Sequence, residues 1–209
     1  MKQDSIVFSE SKFYNNNIKF FVKNLKNFFL FRKINYKNIS MLDFGCGNCL
    51  LHRHIKFKKV LLYDRDAKFK KNLSIKNYKI YKSFEHLLKS KVKIDIIIIN
   101  SVIQYIPPIE LKKIFKQLIR KVKKKGIIII SDVPAHSRLV EFFYDLNFFF
   151  FLRVFFYLVK KPKYLNLNFY IHKKENLIKL INNKNLKLEL IENLNIAKSR
   201  YTMLISKNK

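Results

Sequence analysis

Apolar and polar positions alternate along this chain in two distinct rhythms. From Phe13 to Phe31, Phe20, Phe21, Leu25, Phe28 and Phe29 recur at helical spacing among Lys and Asn, which predicts an amphipathic helix. Ile39–Phe44 then reads as a buried strand running into a glycine turn, Leu50–Phe57 as a short helix, and Val60–Tyr63 as a second strand. Ala67–Lys76 predicts a helix, Tyr78–Tyr81 a third strand and Phe84–Lys89 another short helix. Ile94–Asn100 is an almost unbroken β-branched run, as expected of a central strand. Pro107 and Pro108 precede a helix predicted over Ile109–Lys123, and Gly126 separates that helix from a strand at Ile127–Ile130.

Strand and helix alternate, and the strands are apolar throughout. That pattern predicts an α/β fold with a parallel sheet covered on both faces. The rhythm breaks after Val133. Residues 134–172 are rich in Phe and Tyr, including Phe142, Phe143, Phe148–Phe151, Phe155, Phe156 and Tyr157. Lys174–Asn183 returns to helix. Leu186–Ile191 and Tyr201–Ile205 read as two strands in an antiparallel hairpin with a tight connection at the sheet edge. The expected organisation is one domain over 1–209, with residues 1–38 as an N-terminal helical cap and 134–172 as a helical lid over the substrate.

Composition changes this picture little. The chain has 209 residues, 49% of them hydrophobic, enough for a full-sized core. Its formal net charge of +30 raises a nucleic-acid partner or an anionic membrane. Only seven of the 44 basic residues are Arg, the Lys residues are spread over every segment, and Asn, Ile and Phe are also abundant. Phosphate recognition favours the Arg fork, so compositional drift accounts better for the charge. Two cysteines do not make a disulfide framework, and Met1–Glu10 has no signal pattern. The most apolar run, Leu146–Val159, contains Asn147 and Arg153, so no membrane span is expected. The expected location is cytoplasmic, with peripheral membrane contact left open through Lys160, Lys161 and Lys163.

The chemistry concentrates in Met41–Leu50. Two of the chain's three glycines, Gly45 and Gly47, lie in this strand-to-helix turn, where bare backbone and a helix N-terminus can face a ligand. Asp64 follows Gly45 by nineteen residues, at the end of the next strand, placed to accept hydrogen bonds from ribose hydroxyls. A dinucleotide fingerprint would want glycine at position 50, where this chain has Leu50. Cys46 and Cys49, with His52 and His54 nearby, form a C-x-x-C that lacks the distant second ligand pair of a zinc site, so no metal is expected.

Asp43-Phe44-Gly45-Cys46-Gly47 resembles motif I of the class I S-adenosylmethionine-dependent methyltransferases. Asp64 matches that family's acid after the second strand, and Lys93–Pro107 resembles its motif IV region. The likeness covers about residues 39–133 and the strand pair at 186–206. Cys49 stands where the family often has a third glycine, and Lys82, Ser83 and Phe84 occupy the place of its adenine-binding acid. The resemblance implies a Rossmann-like seven-stranded sheet and S-adenosylmethionine as cofactor. It also implies roles: Asp43 near the methionine amino end, Gly45, Cys46 and Gly47 as backbone contacts, and Asp64 on ribose. Arg65 would lie along the adenine, Phe84 would pack on its face, and Asn100 would stand beside the methyl-transfer position, unless it only caps the strand.

Methyl transfer from a sulfonium is an in-line displacement that positioning alone can accelerate. A hydroxyl acceptor adds a need for a base, for which Tyr105, His136 and His172 are the candidates, while Asn100 is a catalytic candidate by its place at the tip of the fourth strand. Each also has a plain structural reading as a loop or pocket-wall residue. Asn100 is followed by Ser-Val and not Pro-Pro-Tyr, which argues against the family's amino-methylating pattern for adenine or glutamine. The acceptor is therefore read as an organic small molecule, lipid or glycan. An RNA methyltransferase, supported by charge alone, and a non-catalytic donor-binding module are the alternatives.

Overall fold

The computed structural model describes residues 12–65, 77–134, 170, 172–181, 183–191, 194 and 200–208. Helix α1 (Lys12–Phe31) leads. It buries Ile18, Phe21, Val22, Leu25 and Phe29, a single stripe at spacings of three and four. Phe20 was expected on that stripe but is 39% exposed. One residue turns the helix by about 100°, so Phe20 points off the seam that Ile18 and Val22 complete.

Seven strands form one sheet: β1 (Ser40–Phe44), β2 (Lys59–Tyr63), β3 (Tyr78–Tyr81), β4 (Ile94–Asn100), β5 (Val122–Pro134), β6 (Leu186–Ile191) and β7 (Arg200–Lys207). Their order is β3-β2-β1-β4-β5-β7-β6. The first five are parallel, and β7 runs antiparallel to both β5 and β6. The chain thus moves outward from β1 to β3 and then crosses back to β4 on β1's other side. The carboxyl ends of β1 and β4 flank this switch point, where open α/β sheets form their ligand crevice.

The continuous apolar character of β4 follows from its place. Ile97 and Ile99 pack on one face, with Leu111, Phe115 and Leu118 of helix α4 (Pro108–Lys121) and Leu177 and Ile181 of α5 (Lys174–Ile181). Ile96 and Ile98 pack on the other, with α1 and with Leu51 of the short helix α2 (Leu51–His54). Burial of each such side chain is worth about 1.5–3 kcal/mol, so both faces hold β4 central. At its amino end Asp95 accepts from the Ser40 N–H at 2.9 Å and Oγ–H at 2.7 Å, and its other oxygen lies 2.8 Å from Lys123 Nζ. Burial alone would raise the Asp95 pKa, but Lys123 and Ser40 hold it below the usual carboxylate range. This staple joins β1, β4 and β5 at the end of the sheet away from the crevice.

Several boundaries differ from the sequence reading. The helix expected over Leu50–Phe57 ends at His54, because Ile55 turns extended and is buried with Phe57 in the α1-side core. The expected helix end at Lys123 is already strand: Val122 opens β5 and pairs with Ile94. Gly126 accordingly ends no helix. A Cβ there would stand 2.6 Å from the Asp95 carbonyl oxygen, so close strand approach requires glycine. The β6–β7 hairpin is antiparallel as expected, and its connection lies, apart from Leu194, outside the described residues. Helix α3 (Phe84–Lys89) begins at Ser83, whose Oγ accepts from the His86 N–H at 3.0 Å. The expected helix at 67–76 lies outside the described residues. So does the expected lid, except for its ends at Pro134, Tyr170 and His172. Among the described residues no helix is long and apolar enough to cross a membrane.

Candidate active site

The turn after β1 is closed by its own backbone. The N–H groups of Gly45 and Cys46 both donate to the Tyr63 carbonyl, at 2.7 and 3.2 Å, which binds the turn to the end of β2. Gly45 has φ +81°, and a Cβ there would stand 2.3 Å from Val102 Cγ2. Torsion and space both demand glycine at that position. Gly47 also has positive φ, +48°, but a Cβ there would meet nothing within 4 Å. Its Cα side thus faces open space. Cys49 is left-handed too, at φ 56°, closing the turn with its N–H on the Cys46 carbonyl at 2.7 Å. A glycine in this place would relieve that strain.

The two acids flank the turn. The Gly47 N–H donates to Asp64 Oδ2 at 2.8 Å. Asp43 is buried, and its Oδ2 lies 2.9 Å from Nε2 of the equally buried His52. Arg65 is exposed just past Asp64. Phe84 is half-buried, its ring centroid 5.5 Å from that of Phe44 and 5.7 Å from that of Tyr63.

The C-x-x-C pair is buried and unbridged. Burial pushes the Cys46 thiol up, and a hydrogen bond to Cys49 and the nearby Asp43, Cys49 and Asp64 act in the same direction. His52 is engaged with Asp43, while the His54 pKa is lowered by burial and then by Lys19, Lys26 and Arg53. No group of three or more His, Cys, Asp or Glu among the described residues could hold a metal ion.

Across the switch point stands Asn100, half-buried at the tip of β4. Its Oδ1 is shielded from solvent and has no hydrogen-bond partner among the described residues. Ser101 and Asp132 follow at the ends of β4 and β5, both left-handed, at φ 57° and 59°. The Ser101 hydroxyl donates to Asp132 Oδ2, and Arg200 at the start of β7 donates from Nη1 to the Asp132 carbonyl at 3.2 Å. Tyr105 lies in a 3-10 turn (Ile103–Tyr105) and leaves 44% of its surface exposed. Protein packed around it still raises its pKa, with Asp132 adding to the rise and Gln104 and Arg200 opposing it.

His172 sits at the return of the aromatic segment, buried, with Nε2 2.9 Å from the Ile103 carbonyl. Burial lowers its pKa, partly offset by the carbonyls of Ile103 and Ile106. Its ring pins the returning chain to the 3-10 turn, as does the Tyr170 N–H on the Gln104 carbonyl at 2.7 Å. His136 lies outside the described residues.

The structure therefore brings Asp43, Gly45, Cys46, Gly47 and Asp64 to one turn and sets Asn100 and Tyr105 across from it. The sequence reading missed Asp132, Ser101, Arg200, Gln104 and the His52 contact. Asp132 carried a usable signal, since it follows a buried strand as Asp64 does. Arg200 carried none, because only β7's antiparallel pairing with β5 brings it there.

A family model described as a methyltransferase domain matches residues 14–195, and the chain belongs to that family. No curated protein matches it. Among solved structures, an S-adenosylmethionine-dependent methyltransferase from Clostridium acetobutylicum superposes with a TM-score of 0.65 at 15% identity, covering 99% of this chain and 96% of that one. Magnesium protoporphyrin IX methyltransferase from Synechocystis, with bound S-adenosylhomocysteine, gives 0.58 at 16%, covering 91% and 83%. The mitomycin 7-O-methyltransferase MmcR gives 0.53 at 13%, covering 83% of this chain and 50% of that one. The family makes the chain a methyltransferase (EC 2.1.1), and its fold is the one these S-adenosylmethionine-dependent enzymes share. The residues present fit an S-adenosylmethionine donor: a Cβ at Gly47 would meet no protein atom within 4 Å, and its N–H is held by the acid Asp64.

Proposed function

We propose that this enzyme methylates an organic acceptor, a small molecule, lipid or glycan, at the carboxyl edge of β4. The turn at Gly47, where a Cβ would meet no protein atom within 4 Å and whose N–H donates to Asp64, is the observation that carries this reading. Asp64 would accept the ribose hydroxyls. Gly45, Cys46 and Gly47 would offer backbone contacts, and Asp43 would face the methionine amino end directly or through water. Arg65 and Phe84 would border the adenine. The bound sulfonium supplies the methyl group together with its own leaving group. Asn100 and Tyr105 then need only orient the acceptor in line, since aligned geometry lowers the barrier substantially.

The acceptor side is proposed to draw its selectivity from residues 134–172. Both ends of that segment are fixed at this edge, Pro134 by pairing with Arg200 and His172 by its bond to Ile103. The acceptors named for two structural neighbours, a porphyrin and mitomycin, are organic small molecules, which agrees with this class. Incubating the protein and labelled S-adenosylmethionine with small-molecule, lipid and glycan fractions should put label into one of them. Label appearing in RNA instead would overturn the acceptor class.

A further inference from the structure

His52 is an unexpected residue in its place. It occupies the first turn after the glycine loop, and its neighbours Leu50, Leu51 and Ile55 all belong to the apolar cluster under α1. Packing alone would call for another apolar side chain. The side chain is 1% exposed, and its Nδ1 has no hydrogen-bond partner among the described residues, which carries a desolvation cost an aliphatic side chain would avoid.

The contact that offsets this cost is with Asp43. A hydrogen bond of 2.9 Å joins His52 Nε2 and Asp43 Oδ2, which the ring donates when Nε2 carries the proton. Nδ1 on the other side of the ring is buried with no partner among the described residues. Asp43 Oδ1 takes no other hydrogen bond from the described residues. One oxygen of the carboxylate is thus held by His52, and the other is engaged by no described residue.

We propose that His52 is a positioning residue for donor binding: its Nε2–H fixes the Asp43 carboxylate so that Oδ1 serves as acceptor for the ammonium of the methionine arm. This rests on the reading of Asp43 given above and adds to it the residue that sets its geometry. The motif's acid has no other side-chain partner among the described residues, so the orientation of this carboxylate depends on His52.

Two ligands separate this role from ordinary core packing. S-adenosylhomocysteine carries the aminobutyrate arm, and 5′-methylthioadenosine is the same nucleoside thioether without it. His52→Leu keeps the volume and removes the donor. It should weaken S-adenosylhomocysteine by about tenfold or more, the scale of a hydrogen bond to a charged group, and change 5′-methylthioadenosine affinity by less than about twofold. His52→Gln, whose amide N–H reaches the Nε2 position, should restore most of the loss. If His52→Leu is too unstable to titrate, His52→Asn supplies the contrast with His52→Gln, because its shorter amide falls short of Asp43. Equal weakening of both ligands, or no loss for S-adenosylhomocysteine, would overturn the proposal. Failure of the wild-type protein to bind either ligand would overturn the donor-site reading beneath it.

Discussion

The backbone N–H of Gly47 donates to Asp64 Oδ2 at 2.8 Å, so the turn after β1 and the end of β2 are joined by this bond. Asp64 thereby has two duties. It steadies the glycine turn, and in the proposed function it receives the ribose. Replacing Asp64 with Ala should weaken donor binding by about 1.5–3 kcal/mol, measured by calorimetric titration with S-adenosylhomocysteine. Asp64→Asn, which can still accept from Gly47, should lose less. A folded Asp64→Ala protein with unchanged affinity would remove this residue from the site.

The two glycines of the turn should fail in different ways. Gly45→Ala forces a Cβ against Val102 at a left-handed torsion, and should cost about 2–4 kcal/mol of stability in denaturant titration. Gly47→Ala meets no protein atom, so its cost is the torsion alone, about 1 kcal/mol. Its methyl group instead enters that open space, and donor affinity should fall well beyond the stability loss. The opposite ranking would mean that the open space at Gly47 is not the donor's.

His172 predicts a pH dependence. Its folded-state pKa is lowered, so the unfolded chain binds the proton more readily. The stability it contributes is complete above the ordinary imidazole value of about 6.5 and is lost as the pH falls below it. His172→Gln can still donate to the Ile103 carbonyl but does not titrate. Its Tm should drop less than that of the wild type between about pH 7.5 and pH 5.5. Identical slopes would show that the ring carries no such penalty.

Much of this was legible in the chain because burial on both faces writes itself as unbroken apolar runs. Ile94–Asn100 could be read as the central strand without any structure, and Asp43 to Asp64 as a loop with its acidic partner. Less visible were features set by tertiary contact. Lys123–Lys125 reads as a helix end or turn, yet runs as strand because Val122 pairs with Ile94 and Lys123 binds Asp95. Arg200 joins Asp132 only through antiparallel pairing across the sheet. His52 reads as one half of a metal pattern, because spacing shows which residues are neighbours and not which way a ring turns.

The three glycines permit a direct test of the donor site. With 15N introduced at glycine alone, the amide spectrum should show the signals of Gly45, Gly47 and Gly126, and Gly126 lies at the opposite end of the sheet as an internal control. Titration with S-adenosylhomocysteine should shift the Gly45 and Gly47 resonances and leave Gly126 in place, while NAD should move none of them. Binding that leaves Gly45 and Gly47 unshifted, or equal shifts with NAD, would contradict the account.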